Sequence, residues 1–120
     1  MQKKTLVLGA SSKPERYSYK AVKMLMQHGH IVNAVGAKED SIEDVKIYKG
    51  TPEFDEVHTI TLYLSPKNQT NLYQYILNLK PKRIIFNPGT ENSELETLAK
   101  NQGIEVEIAC TLVLLSTNQY

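Results

Sequence analysis

The sequence predicts an α/β fold, in which helices pack against both faces of a parallel β-sheet. Two observations support this prediction. Short apolar segments typical of buried strands alternate along the chain with segments whose apolar residues recur at helical spacing. In addition, the first apolar segment, Thr5–Leu8, runs directly into a turn of small residues that precedes a helix. A chain of 120 residues with this one alternation is expected to form a single domain, residues 1–120.

The composition is typical of a soluble globular protein, with 41% hydrophobic and 22% charged residues. The formal net charge of +1 does not favour a nucleic acid or a membrane surface as a partner. No apolar run approaches the roughly 20 residues that cross a bilayer, and Met1–Lys4 does not resemble a secretory signal. The lone cysteine, Cys110, cannot form an internal disulfide, which fits a reducing compartment. We therefore expect a cytoplasmic protein that binds neither nucleic acid nor a membrane.

The turn after the first strand has the composition of an anion-binding corner. Gly9 allows the chain to turn sharply, and the small residues after it let a ligand approach the backbone. The next helix would direct free N–H groups and the positive end of its dipole at that ligand. Neither Gly-x-Gly-x-x-Gly nor a P-loop is present, so a ligand-free turn capped by Ser11 or Ser12 is the alternative. The residues predicted to bind an anionic cofactor here are Gly9, Ala10, Ser11, Ser12, Lys13, Arg16 and Ser18.

The first helix is predicted from about Ser18 to His28. Ser18 is the predicted N-cap, and Gly29 is placed to end the helix in the left-handed conformation. The second strand is predicted at Ile31–Val35. The residues on the predicted core face of the helix are Ala21, Val22, Leu25 and Met26.

The residues after the second strand bear on the identity of the ligand. Domains that bind NAD place an acidic residue at this strand end, where it holds the ribose hydroxyls. This chain has Gly36-Ala37-Lys38 there, and Glu39 and Asp40 come past the expected position. A lysine favours an additional phosphate group, such as those on the ribose of coenzyme A and of NADP. Gly36 and Lys38 are therefore predicted contacts, and the alternative for Lys38 is an ordinary solvated lysine.

The rest of the chain continues the alternation. Residues 39–56 are polar, and their acidic side chains indicate a solvated face, not a metal site. In the helix before the last, capped by Asn92 or Ser93, the core face is predicted to hold Leu95, Leu98 and Ala99. Gly103 is placed to end this helix. The predicted elements are strands at Val57–Leu64, Arg83–Phe86 and Glu105–Ile108 and helices at Ser65–Leu79, Ser93–Gln102 and Leu112–Ser116.

Five predicted strands give a three-layer, Rossmann-like domain with the strand order 3-2-1-4-5. The first and fourth strands would then flank the ligand site, where the strand order reverses. Two further loops lie at the ligand-binding edge of this sheet. Leu64, Ser65 and Pro66 follow the third strand, and after the fourth strand Asn87 offers donors and acceptors while Gly89 allows close approach. A plain turn is the alternative for this last loop.

Several segments of the sequence together resemble one known family. The segments are Gly9-Ala10-Ser11, Lys13-Pro14-Glu15-Arg16, Ser18-Tyr19-Lys20-Ala21-Val22, and Gly29-His30 before a strand. They resemble the small CoA-binding domain family, a Rossmann-type domain also found at the N-terminus of the succinyl-CoA synthetase alpha subunit. The resemblance implies that Gly9, Ser11, Ser12, Lys13 and Arg16 hold phosphate groups of coenzyme A. It also implies that the loop Asn87–Glu91 borders the pantetheine arm, whereas Ala34–Ala37 departs from a proline-rich segment of the family.

The resulting functional prediction is a protein that binds coenzyme A or an acyl-CoA and has no catalytic activity of its own. The sequence shows no Ser/His/Asp arrangement, no paired carboxylates at strand ends and no metal-ligand cluster. Two alternatives stay open, an NADP-binding reductase-like protein and a regulatory module with a vestigial nucleotide site. The expected partner is a small nucleotide ligand. A protein partner or a homo-oligomer also stays open.

Overall fold

The structure, a computed structural model, describes residues 2–120. Within this range every helix is too short or too polar to traverse a lipid bilayer. The strands are β1 (Thr5–Ala10), β2 (Val32–Gly36), β3 (Asp40–Ile42), β4 (Val45–Tyr48), β5 (Thr59–Leu62), β6 (Arg83–Phe86) and β7 (Glu105–Ile108). The helices are α1 (Tyr17–Gln27), α2 (Pro66–Gln69), α3 (Tyr73–Asn78), α4 (Ser93–Asn101) and α5 (Thr111–Ser116), with a 3-10 turn at Thr70–Leu72.

The strands form one seven-stranded sheet in the order β3-β4-β2-β1-β5-β6-β7. Neighbouring strands are parallel except for β3 and β4, which form an antiparallel hairpin at one edge. The predicted α/β class is therefore confirmed, although the sheet is mixed and contains two more strands than predicted. Strands β6 and β7 have the predicted bounds, and α4 ends one residue earlier than predicted.

The predicted ends of two helices are confirmed in detail. Gly29 follows α1 with a φ of +83°, and Gly103 follows α4 with a φ of +78°. In both places the glycine N–H and the next N–H donate to carbonyls of the last helical turn, as in a Schellman motif. Asn92 caps α4, because its side-chain oxygen accepts hydrogen bonds from two backbone N–H groups of the first turn.

The predicted strand order is wrong for the third strand. The segment predicted at Val57–Leu64 forms β5, which lies directly beside β1, with Thr5 opposite Thr59. The position beyond β2 is taken by β4, with Ala34 opposite Ile47. β4 has only four residues, and the alternation in Val45-Lys46-Ile47-Tyr48 lies within a polar segment, so it does not by itself identify a strand. If the six parallel strands are renumbered along the chain, their order in the sheet is 3-2-1-4-5-6. This order reverses between β1 and β5, whereas the prediction places the reversal between β1 and the strand Arg83–Phe86, which is β6.

The predicted N-cap of α1 is also wrong. The helix begins at Tyr17, and Arg16, with extended backbone angles, occupies the N-cap. Ser18, the predicted N-cap, lies buried in the first turn. Ser18 therefore does not cap the helix.

Two further predictions for helices need correction. The helix predicted at Ser65–Leu79 is broken into α2 and α3 by the 3-10 turn. The break follows Gln69, whose fully buried side chain donates to backbone carbonyls of neighbouring loops. Leu98 was predicted to face the core, but it is 36% exposed on the flank of α4. Leu95 and Ala99 do face the core, as predicted.

Apolar cores lie on both faces of the sheet, because side chains alternate in direction along β1. Leu6 and Leu8 pack in the core that also contains side chains of α3 and α4. Val7 points to the opposite face and packs in the core with α1 and α5. The central strands are thus buried on both sides, and their carboxyl ends are held at one edge between two helical layers.

Two strand ends approach so closely at this edge that one of them needs a glycine. Gly36 ends β2 opposite Ala10, the last residue of β1. A Cβ atom on Gly36 would lie 2.2 Å from the carbonyl oxygen of Ala10 and 3.0 Å from the side chain of Ile47. The first of these contacts is with backbone, which cannot move without separating the two strands. Gly36 therefore lets the loop after β2 start directly beside the loop after β1.

We predict that Gly36→Ala lowers the free energy of unfolding by about 2–3 kcal/mol, because the added methyl group overpacks the contact between strand ends. Gly50→Ala is the control, since a Cβ there meets nothing within 4 Å and the cost is confined to a φ of +77°. That conformation costs about 1 kcal/mol for a non-glycine residue. Denaturant unfolding of both variants measures the difference. Equal losses would contradict the steric role of Gly36.

Candidate functional site

Two adjoining cavities lie at the carboxyl ends of β1 and β5, where the strand order reverses. The first, called here the β1 cavity, has a volume of about 370 Å³. The second, called the β5 cavity, has a volume of about 260 Å³. Gly9, Ser11 and Arg16 line both cavities, so together they form one cleft. The other lining residues are Ala10, Ser12, Lys13, Ala37, Lys38, Asp40 and Leu64 in the β1 cavity, and Tyr17, Ser18, Tyr63, Ser65, Pro88, Gly89 and Thr90 in the β5 cavity.

The floor of the cleft is the loop between β1 and α1. Gly9 has a φ of +98°, and a Cβ atom there would lie 2.9 Å from the backbone carbon and oxygen of Tyr63. The loop is fixed by internal hydrogen bonds. The backbone N–H of Lys13 donates to Ser11 Oγ over 3.1 Å, and the N–H of Arg16 donates to the Lys13 carbonyl over 3.0 Å. The close contact between Gly9 and Tyr63, the residue after β5, therefore brings the loop after β1 next to the loop after β5.

The entrance to α1 has an excess of positive charge. Within residues 2–120 no side chain caps this helix end, and its first turn has no acidic residue. The positive end of the helix dipole and its free N–H groups therefore face the cleft. Lys13, Arg16 and Lys38 are exposed around the cleft, and in the described part of the chain none of them forms an ion pair. This arrangement suits a ligand that carries several negative charges.

Asp40 is the charged residue lining the cleft that the sequence analysis did not predict as a contact. The other lining residues that it did not predict are Tyr17, Ala37, Tyr63, Pro88 and Thr90. Asp40 begins β3, and the hairpin of β3 and β4 brings it to the rim of the β1 cavity. Its carboxylate accepts hydrogen bonds from Ser12 Oγ over 2.6 Å and from the backbone N–H of Ser41 over 2.8 Å. These bonds lower the pKa of the Asp40 carboxyl, which is therefore ionised at neutral pH. A prediction of β4 would have been needed to place Asp40, because Asp40 has a defined position only through the pairing of β3 with β4.

The structure brings most of the predicted contact residues together, with three exceptions. Gly36 lines neither cavity and acts through its contact with Ala10. Pro66 lies outside both cavities, as the first residue of α2. Asn87 is buried below the β5 cavity, with 3% of its surface exposed. A ligand contact of any of the predicted residues stays a prediction.

Asn87 is fully engaged inside the protein. Its Nδ2 donates to Thr61 Oγ1 over 2.7 Å and to the Leu62 carbonyl over 2.8 Å. Its Oδ1 accepts a hydrogen bond from the backbone N–H of Thr111 over 2.8 Å. The amide thus connects β5, the end of β6 and the start of α5 behind the cleft.

Burial also raises the pKa of Tyr63, whose phenol stays protonated at neutral pH.

A second amide connects the two loops that wall the β5 cavity. Gln69 Nε2 donates to the carbonyls of Leu64 and Thr90, each over 2.8 Å. Gln69 Oε1 accepts a hydrogen bond from Asn92 Nδ2 over 2.9 Å, and the same nitrogen donates to the Tyr73 hydroxyl. Gln69 is fully buried, so these bonds lack competition from water. The walls of the β5 cavity are therefore held in place without a ligand.

We predict that Asn87→Ala lowers the free energy of unfolding by about 2–4 kcal/mol, because three buried hydrogen bonds are lost. Asn101→Ala is the control, since Asn101 is exposed at the end of α4. We expect the control to change stability by less than about 0.5 kcal/mol. Denaturant unfolding measures both values. A loss in Asn87→Ala no larger than the control would show that this network does not stabilise the fold.

The chain is similar in sequence to one described domain family. The sequence model of this family, described as "CoA binding domain", matches residues 3–116. No curated protein matches the chain.

Several solved structures are similar to the chain. The crystal structure of an uncharacterized protein is 48% identical and has a TM-score of 0.97, covering 100% of this chain and 99% of the other. A hypothetical protein from Pyrococcus horikoshii OT3 is 26% identical with a TM-score of 0.85, over 96% of this chain and 82% of the other. A protein from Thermus thermophilus is 20% identical with a TM-score of 0.85, over 98% of this chain and 90% of the other. The last of these supports the fold alone.

Proposed function

Because the chain belongs to the family of CoA binding domains, we propose that it binds coenzyme A or an acyl-CoA in the cleft and catalyses no reaction itself. The observation that carries this proposal is the uncapped start of α1 among three unpaired cations. Coenzyme A carries a diphosphate and a third phosphate on its ribose. A ligand of this charge complements the cleft better than a neutral or a cationic one.

The two cavities suggest how such a ligand lies. The diphosphate sits over the loop from Gly9 to Arg16, where the backbone N–H groups at the start of α1 can bind it. The ribose phosphate lies toward Lys38, at the far side of the β1 cavity. The pantetheine arm enters the β5 cavity, past Gly89 and Thr90. The hydrogen bonds of Gln69 keep that cavity open in advance, which reduces the entropy lost on binding.

The side chains around the cleft support binding without catalysis. Among residues 2–120, neither cavity is lined by a histidine or a cysteine. The serine hydroxyls of the cleft therefore have no neighbouring imidazole base that would activate them as nucleophiles. Asp40 lies beside Ser12, but its pKa is lowered, which makes it a weak base.

We predict that coenzyme A raises the melting temperature of the protein in a dose-dependent manner, because it binds the native state alone. In Arg16→Ala the dissociation constant should rise roughly tenfold, since a charged hydrogen bond to phosphate is lost. Lys82→Ala is the control for the loss of one positive charge, because exposed Lys82 lies at the opposite edge of the sheet, just before β6. It should bind like the wild type.

Thermal unfolding and isothermal titration with coenzyme A, NADPH and ATP measure these effects. A response to NADPH without one to coenzyme A would replace the proposal by the NADP-binding alternative, since the ribose phosphate of NADP also suits Lys38. No response to any of the three at millimolar concentration would favour a regulatory module with a vestigial site. Equal losses of affinity for coenzyme A in Arg16→Ala and Lys82→Ala would indicate that the ligand binds outside the cleft.

A further inference from the structure

The β1 cavity contains a negative charge where the proposed function expects only positive ones. Asp40 is exposed at the rim, in the same cavity as Lys13, Arg16 and Lys38. A carboxylate in this position repels a polyanionic ligand. Electrostatics therefore disfavours Asp40 unless it makes a favourable contact with some other part of the ligand.

The carboxylate of Asp40 has hydrogen-bonding capacity left for such a contact. Its two oxygens offer about four acceptor positions, and the bonds from Ser12 and Ser41 use one on each oxygen. Lys38 lies two residues away and lines the same cavity. The rim thus presents an ammonium group and a carboxylate to one cavity, next to the loop where phosphates are expected to bind.

The hairpin holds Asp40 in this position. Asp40 pairs with Ile47 in the neighbouring strand, and Ile42 buries its side chain in the core. An ion pair between Lys23 and Glu43 connects the hairpin to α1. A side chain on a paired strand is placed more reproducibly than one on a free loop. Asp40 is therefore a fixed feature of the cleft.

We propose that Asp40 accepts a hydrogen bond from the free ribose hydroxyl next to the phosphate that Lys38 binds. This inference rests on the proposed function, and for coenzyme A the hydroxyl is the 2′-hydroxyl beside the 3′-phosphate. In dinucleotide-binding domains an acidic residue after the second strand binds a ribose hydroxyl in a similar way. In this chain the acidic residue is Asp40, which lies at the start of β3, the strand that follows β2. Asp40 and Lys38 together select a ribose with one phosphate and one free hydroxyl.

The sign of one mutational effect tests the proposal. If Asp40 only repelled the ligand, Asp40→Ala would bind coenzyme A more tightly than the wild type. We expect instead that the dissociation constant rises about tenfold, because a hydrogen bond to a charged acceptor is lost. Asp40→Asn, which retains the shape and one acceptor oxygen, should lose less. Asp44→Ala is the control, because Asp44 is an exposed carboxylate of the same hairpin that lines neither cavity of the cleft.

A 2′-deoxy analogue of coenzyme A identifies the atom that Asp40 contacts. The wild type should bind this analogue about tenfold more weakly than coenzyme A, and Asp40→Ala should bind both equally. Isothermal titration measures the dissociation constants, and melting temperatures without ligand verify that each variant is folded. Unchanged or tighter binding of coenzyme A by folded Asp40→Ala would overturn the inference. The inference would also be overturned if the wild type and Asp40→Ala preferred coenzyme A over the analogue to the same extent.

The proposed function and this inference fail in different ways. If the wild type does not bind coenzyme A, the proposed function itself is wrong. Suppose instead that the wild type binds coenzyme A, that Ser12→Ala loses as much affinity for coenzyme A as Asp40→Ala does, and that Ser12→Ala binds the analogue as tightly as the wild type does. Asp40 then acts by orienting Ser12, and the proposed ribose contact of Asp40 is wrong. Full discrimination between the two ligands in Ser12→Ala would support direct contact by Asp40.

Discussion

The close approach of backbone at the carboxyl end of β1 is the constraint on which the rest of this site depends. Gly9 lies against the backbone of Tyr63 on one side, and Gly36 lies against the carbonyl of Ala10 on the other. With a side chain at either position, the loops after β1, β2 and β5 would separate. The cleft exists because these loops start from nearly the same point at the reversal of the strand order.

The electrostatics of the cleft follow from that geometry. The short loop after β1 leads into α1 without a capping side chain, so the first N–H groups of the helix stay available. Lys38 reaches the same cavity from the loop after β2, which the contact at Gly36 keeps nearby. Asp40 then balances part of this charge and binds Ser12. The cleft therefore combines three cationic side chains with one carboxylate acceptor.

Buried amides make the cleft rigid from below. Asn87 ties β5 to α5, and Gln69 ties the loop after β5 to the loop after β6. Each amide also has partners more than 20 residues away in the sequence, so neither network is complete before the sheet is assembled. Such networks give a defined shape to a cavity whose walls are loops, and they limit the rearrangement that a ligand must induce.

The sequence by itself determined the α/β class, the bounds of β6 and β7, and the glycines that end α1 and α4, and it narrowed the cap of α4 to Asn92 or Ser93. These features depend on local chemistry, namely apolar runs, left-handed glycines and side chains that cap helices. It also predicted an anion-binding loop from Gly9 to Arg16, because small and cationic residues are contiguous there. In the structure this loop lines the cleft, and anion binding stays a prediction.

Only the tertiary structure decided the place of β4, the presence of Asp40 at the rim and the internal role of Asn87. The alternation of β4 covers only four residues in a polar segment, so it does not by itself identify a strand, and β4 forms by pairing with β2. Asp40 and Asn87 have the same ambiguity, since a polar residue near a strand end suits either a ligand or a neighbouring loop. The choice depends on partners more than 20 residues away, which local sequence patterns do not specify.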